Sequence, residues 1–94
     1  MAILNWLADV ELEQGNLEEA QHLLGQGLPV AERNKDKRSI AFHKRPFALL
    51  EQLRGNLEQA RRWAEEAAEG FESLTMIPEA REMRTLLQRD AQGQ

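Results

Sequence analysis

Cysteine is absent from this 94-residue chain, so neither disulfide bonds nor thiolate metal sites are available to it. Aromatic residues make up only 5% of the sequence, and valine and isoleucine are scarce, which leaves β-strands few of their favoured residues. No hydrophobic run approaches the roughly 20 residues of a membrane-spanning helix. The net charge of −4 argues against a nucleic-acid-binding protein, which normally carries a basic face. We therefore expect a cytoplasmic protein that contacts neither membrane nor nucleic acid.

Strong helix formers dominate the chain instead. Glutamate, alanine, leucine, glutamine and arginine are abundant, and charged residues make up 30% of the sequence. A chain of this length has room for one domain and can bury roughly 60–65% of its unfolded surface. We predict a single all-α domain over residues 1–91, followed by a frayed tail at residues 92–94.

One phrase occurs twice in the chain. GNLEEA begins at Gly15, and GNLEQA begins at Gly55, 40 positions later. Each glycine suits the left-handed position just past a helix C-terminus, and the asparagine that follows it is a good N-cap residue. Glu19 and Gln59 fall three positions beyond the asparagines, where a capping-box side chain reaches back to the cap. Each phrase therefore predicts the end of one helix and the start of an antiparallel neighbour.

Apolar residues at helical spacing flank both phrases. We therefore predict two copies of a helix hairpin, over residues 1–34 and 38–74, and a closing fifth helix over residues 77–91 that begins near Pro78. Because one hairpin cannot bury its apolar face alone, stacked copies share a core. The predicted architecture is an α-solenoid of antiparallel helix-hairpin repeats. The apolar stripe of the fifth helix is predicted to contain Met76, Ala80, Met83 and Leu87.

Two prolines fall inside predicted helices, Pro29 in the first copy and Pro46 in the second. Each removes a backbone donor and clashes with the preceding turn, which costs up to about 3 kcal/mol in a regular helix. We expect a kink at each proline or a helix that starts late. At Pro46 the alternative to a tolerated irregularity is a groove shaped by the proline.

The two copies carry residues of similar type at the same eight positions of the repeat. In the first copy these positions hold Leu7, Ala8, Gly15, Asn16, Leu17, Ala20, Leu24 and Gly27. In the second copy they hold Phe47, Ala48, Gly55, Asn56, Leu57, Ala60, Ala64 and Ala67. This pattern resembles a tetratricopeptide repeat over about residues 1–74. The resemblance implies a solenoid in which the first helix of each hairpin lines a concave protein-binding surface.

The chain departs from the usual tetratricopeptide pattern in three respects. Its period is 40 residues rather than about 34. Glu11 and Glu51 stand where a tyrosine is usual, and Glu32 and Glu72 stand where a closing proline is usual. The longer period resembles the variant found in helical sensor regions of bacterial signalling regulators, which implies a relative or an excised piece of such a region.

Residues that could support catalysis or bind a metal are few. His22 and His43 are far apart in sequence and lack partners at metal-ligand spacing. We place His22 on the exposed side of its helix and His43 at the edge of the core. With no nucleophile, metal or cofactor signature, the sequence predicts a protein that is not an enzyme and uses no cofactor.

The first helix of the second copy carries a second apolar stripe. Four residues recur there at helical spacing: Phe42, Pro46, Leu49 and Leu53. This stripe must pack in the core of the same chain, self-associate, or meet a foreign peptide or helix. The matching face of the first copy carries Trp6, and aromatic residues are enriched at interface hot spots. We predict that the partner-binding residues are Asn5, Trp6, Asp9, Phe42, Arg45, Leu49 and Leu53.

A basic segment runs from Arg33 to Arg45 and holds six lysine and arginine residues against Asp36 alone. Such a segment could steer an acidic partner, with Lys44 and Arg45 fixing the register, and the favoured alternative is a solvated loop between the repeats. A carboxylate clamp of the kind known in the resembled family is not expected, because Asn5, Asp9 and Pro46 occupy the matching positions.

These patterns together predict a non-catalytic protein–protein interaction or oligomerisation module. It would bind a protein or peptide, or a second copy of itself, through the face formed by the first helix of each hairpin. The alternative is a sensor or regulatory segment of a larger bacterial signalling or transcriptional regulator.

Overall fold

The computed structural model describes the backbone of residues 2–93 and the side chains of residues 5–86. This part of the chain contains no β-strand and folds into five helices: α1 (Ala2–Glu13), α2 (Leu17–Arg33), α3 (Lys37–Leu53), α4 (Leu57–Ser73) and α5 (Ile77–Gly93). The predicted all-α fold is thereby confirmed. The helix α5 continues past residue 91 into the predicted tail. None of the helices described here is long and apolar enough to cross a membrane.

The turns between the helices recur every 20 residues and share one geometry. A residue with positive φ lies two positions past the end of each of the helices α1 to α4: Gly15 at 83°, Lys35 at 56°, Gly55 at 83° and Thr75 at 57°. In each turn the following backbone N–H donates to the carbonyl five positions back, which is the Schellman arrangement. The sequence predicted only the two glycine turns. The four Schellman hydrogen bonds join Asn16 to Glu11, Asp36 to Ala31, Asn56 to Glu51 and Met76 to Phe71, over 2.8–3.0 Å.

Replacing Thr75 with glycine should stabilise the fold. A β-branched residue is strained in the left-handed region by roughly 1–2 kcal/mol, which exceeds the entropic cost of a new glycine, roughly 0.5–1 kcal/mol. We expect a net gain of about 0.5–1 kcal/mol and a midpoint of thermal unfolding raised by roughly 2–8 °C. Thermal unfolding followed by circular dichroism measures the shift. The matched control is Gly55→Ala, which introduces the same kind of strain and should lower the midpoint.

The predicted capping box at each repeated phrase does not form. Asn16 and Asn56 occupy the N-cap positions of α2 and α4, but neither side chain makes a capping hydrogen bond. The Nδ2 atom of Asn16 instead donates to Oε1 of Glu11, and that of Asn56 donates to Oε1 of Glu51, each over 2.8 Å. The two glutamates that replace the usual tyrosine therefore hold the asparagine of the following turn in both copies.

Helix α3 lies at the centre of the fold and separates two clusters of buried apolar residues. One cluster joins α1, α2 and α3 through residues such as Leu24 and Leu50, and the other joins α3, α4 and α5 through residues such as Phe71 and Met83. Leu49 packs against both. Of the predicted α5 stripe, Ala80 and Met83 are buried and Met76 is partly buried, whereas the Leu87 side chain lies outside the described residues. Leu86 takes a further buried position.

Both internal prolines lie within unbroken helices. Helix α2 continues through Pro29, and α3 continues through Pro46. The expectation of a helix that starts late is therefore wrong at both sites. Pro29 is exposed, whereas Pro46 is fully buried and serves as part of the core.

Candidate binding groove

The odd-numbered helices line a groove on one side of the molecule. Its volume is about 340 Å³, and a second cavity of about 210 Å³ continues it past Leu49 and Glu82, which line both. Among the described side chains, α2 and α4 contribute nothing to either lining. We name the larger cavity the α1–α3–α5 groove. Its lining residues are Asp9, Leu12, Glu13, Arg45, Leu49, Gln52, Leu53 and Glu82.

The apolar part of this groove rises from the core to the surface along three leucines. Leu12 is buried, with 7% of its surface exposed, and belongs to the cluster around α1 and α2. Leu49 is half-buried. Leu53, one turn further along α3, is 58% exposed, although leucine is among the residues most often buried in folded proteins. The groove therefore ends in an uncovered leucine at the C-terminal end of α3.

Arg45 connects the three helices across the groove. Its Nη2 atom lies 3.2 Å from Oδ2 of Asp9 on α1, and its Nη1 atom lies 3.3 Å from Oε1 of Glu82 on α5. The guanidinium carbon is also 5.6 Å from the centre of the Phe42 ring, within cation–π range. Only 24% of the Arg45 side chain is exposed, so both ion pairs are partly shielded from solvent.

Carboxylates outnumber cations in the groove. Among the described residues of the lining, Asp9, Glu13 and Glu82 oppose a single guanidinium, that of Arg45, so their formal charge is three negative and one positive, or −2. Burial raises the pKa of Asp9 above its usual 3.8, and repulsion from Glu13 and Glu82 acts in the same direction, against the attraction of Arg45. The groove is thus an acidic environment.

Most of the basic segment lies outside the groove, and Arg45 is the only one of its six lysine and arginine residues in the lining. Arg33, Lys35, Lys37 and Arg38 are exposed at the turn between α2 and α3, whereas the groove lies along the C-terminal half of α3. Lys44 also lies outside the groove lining, and its Nζ atom lies 3.0 Å from Oε1 of Glu66 on α4.

The structure brings four of the seven predicted partner-binding residues together. Asp9, Arg45, Leu49 and Leu53 line the α1–α3–α5 groove. Trp6 lies outside the lining, one turn before Asp9 on α1, and is 60% exposed. Asn5 is half-buried on the same helix and also lies outside the lining.

Phe42 belongs to the core rather than to the groove. Its ring packs edge-on against Phe71, with the centroids 5.0 Å apart, and Arg38 covers it at 5.0 Å. Pro46, the next residue of the same stripe, is fully buried. The second apolar stripe of α3 is therefore divided: its N-terminal half is core, and its C-terminal half, Leu49 and Leu53, lines the groove.

His43 is fully buried between α2 and α3, deeper than the predicted edge of the core. Its Nδ1 atom donates to the Ser39 carbonyl oxygen over 2.8 Å, because that oxygen can only accept. Its Nε2 atom faces Gly27 and has no hydrogen-bond partner. His22 is exposed, as predicted. No group of three or more metal-ligating side chains occurs in the part of the chain searched, which covers the described residues.

A sequence model of the tetratricopeptide repeat family matches residues 1–73 of the chain. The match therefore spans α1 to α4, the two hairpins that carry the repeated phrase, and ends before α5. No curated protein and no solved structure matches the chain.

Proposed function

Because the chain belongs to the tetratricopeptide repeat family, whose stacked hairpins form concave binding surfaces, we propose that it binds a segment of a partner protein in the α1–α3–α5 groove. The role is non-catalytic. The observation that carries this proposal is the exposure of Leu53 inside a groove whose other leucines are wholly or partly buried.

Burial of Leu53 supplies a driving force for association. Fully burying a leucine side chain contributes about 1.5–3 kcal/mol, and more than half of the Leu53 surface remains in water. The groove volume of about 340 Å³ is at the lower end of the range for ligand pockets, and it suits a few side chains rather than a whole domain. A short peptide or one face of a helix therefore fits the groove best.

The proposal is tested with a phage-displayed library of random peptides selected on the whole chain. Peptides enriched on the wild type should bind Leu53→Glu at least about tenfold more weakly, since the variant places a charge where an apolar side chain docks. The matched control is Leu57→Glu on α4, because Leu57 is 44% exposed and lies outside the groove lining. Equal binding to both variants would show that peptides use another surface. Leu49 is a poorer probe, because it packs against both core clusters.

Self-association is the second candidate, and the 60% exposure of Trp6 favours it. A dimer that Trp6→Ala weakens, measured by light scattering across a range of protein concentrations, would support this reading. A wild-type monomer at every concentration would contradict it.

The role of a sensor segment in a bacterial cytoplasmic regulator remains a further proposal. The helix-and-turn unit of 20 residues supports it, because two such units make the 40-residue period of the repeats that the chain resembles.

A further inference from the structure

We propose that the occupant of the α1–α3–α5 groove is a cationic, leucine-bearing segment of a partner protein. This inference rests on the proposed function and specifies the partner's charge and side chains. Its basis is the combination of an apolar floor, formed by Leu12, Leu49 and Leu53, with a lining of net charge −2. A partner that buries apolar side chains here must also bring positive charge close to the carboxylates.

Arg45, the one cation among the described residues of the groove, does not neutralise all three carboxylates. Arg45 is committed to Asp9 and Glu82 through separate nitrogen atoms. Glu13 makes no hydrogen bond or ion pair with any described residue, and it repels the carboxylate of Asp9. A lysine or arginine from a partner would meet at least one unpaired carboxylate without breaking an existing pair.

The end of α1 adds to the same electrostatic preference. Glu13 is the last residue of α1, where the helix dipole disfavours an anion and favours a cation. Helix α1 carries no basic residue in its last turn, whereas the C-cap of α3 is Arg54, whose Nη2 atom donates to Oε1 of Gln21. An incoming cation would therefore offset the unfavourable position of Glu13 at the end of α1, which no described residue pairs with.

We infer leucines on the partner from the shape of the apolar part of the groove. Leu49 and Leu53 lie one turn apart on α3, so their exposed surfaces form a short strip along the helix. A partner helix with leucines three or four positions apart can cover this strip, while basic residues beside the leucines reach the rim. The occupant is thus an amphipathic basic helix or peptide, the opposite charge type from an acidic tail.

Three synthetic peptides test this inference on the full 94-residue chain. They have the same length and the same leucines at helical spacing, and they carry lysine, glutamine or glutamate at the flanking positions. We expect the lysine peptide to bind about tenfold more tightly than the glutamine peptide, as two solvent-exposed ion pairs would allow, and the glutamate peptide to bind most weakly. Added salt should reduce the advantage of the lysine peptide.

Variants of the groove assign the effect to its carboxylates. Glu13→Gln should reduce the preference for the lysine peptide over the glutamine peptide by about two- to fivefold. The matched control is Glu58→Gln, an exposed glutamate on α4 outside the groove, which should leave the preference unchanged.

Four outcomes would overturn the inference. Equal binding of the three peptides, or tightest binding of the glutamate peptide, would contradict the charge assignment and leave the proposed protein-binding role intact. Binding of none of them, while library peptides still depend on Leu53, would reject this peptide chemistry alone. A stable dimer that excludes the lysine peptide would identify the occupant as a second copy. The library selection therefore decides the proposed function separately from its charge preference.

Discussion

Gly27→Ala should destabilise the fold, whereas Gly25→Ala, two positions earlier in α2, should stabilise it. A Cβ atom built on Gly27 would overlap Nε2 of His43 and lie 2.7 Å from its Cδ2 atom. A Cβ atom on Gly25 meets nothing within 4 Å. The two substitutions are chemically identical and lie in the same helix, so their difference isolates the contact with His43.

The expected size follows from two opposing effects. Alanine in place of a helical glycine gains about 0.5–1 kcal/mol at either position. At Gly27 the gain is outweighed, because the His43 ring is fully buried and its Nδ1 atom is held by the Ser39 carbonyl. Overpacking of this kind costs about 1–3 kcal/mol. The two variants should therefore differ by that amount, or by roughly 4–24 °C in the midpoint of thermal unfolding.

A double-mutant cycle checks the cause. If the ring of His43 is the obstacle, His43→Ser should be less harmful in the Gly27→Ala background than in the wild type, with a coupling energy of about 1 kcal/mol or more. Equal stability of Gly27→Ala and Gly25→Ala would instead show that the ring turns aside at little cost.

The helix ends could be predicted where their cause is local. Gly15 and Gly55 indicate left-handed turns because glycine has no Cβ atom, and both have a φ of 83° in the structure. Lys35 and Thr75 adopt the same left-handed backbone conformation, but neither is a glycine, the residue type that normally indicates it. The sequence therefore did not show that such a turn recurs every 20 residues. The capping box was wrong because a glutamate five positions before each asparagine competes for its side chain.

Contacts between helices were harder to predict, because no local pattern encodes them. The close contact between Gly27 on α2 and the His43 ring on α3 is an example, because the local sequence of neither helix indicates it. Periodicity identified Leu49 and Leu53, but it could not show that α4 covers Phe42 at the other end of the same stripe. Glu82 was missed because it comes from α5, which the sequence suggested only as a cover for the core.

The free energy of unfolding should fall as the pH decreases below about 6.5, and His43 should account for much of the change. Burial lowers the pKa of His43 below its ordinary value of 6.5, although the hydrogen bond to the Ser39 carbonyl favours the charged form. Between the lowered value and 6.5, the unfolded chain binds a proton that the folded chain does not. Acid therefore favours unfolding in this window, with a limiting slope of about 1.4 kcal/mol per pH unit.

The measurement is urea unfolding at several pH values between about 5.5 and 7.5, compared with His43→Met. Methionine is a suitable replacement because Met83 occupies the position 40 residues later and is buried in α5. The wild type should lose stability relative to His43→Met as the pH falls, whereas His22→Gln, a change at the exposed histidine, should follow the wild type. Comparing curves also removes the contribution of Asp9, whose raised pKa acts in the opposite direction.

The cause of this pH dependence lies at Nε2. Protonation there would place a positive charge against the backbone of Gly27, where no described acceptor meets it. Well above pH 6.5 the imidazole is neutral in both states, so the contribution of His43 to stability is fully present there and its slope vanishes. Parallel curves for the wild type and His43→Met would mean that the folded chain accepts the proton as readily as the unfolded one. That result would require α2 and α3 to separate enough for Nε2 to reach water.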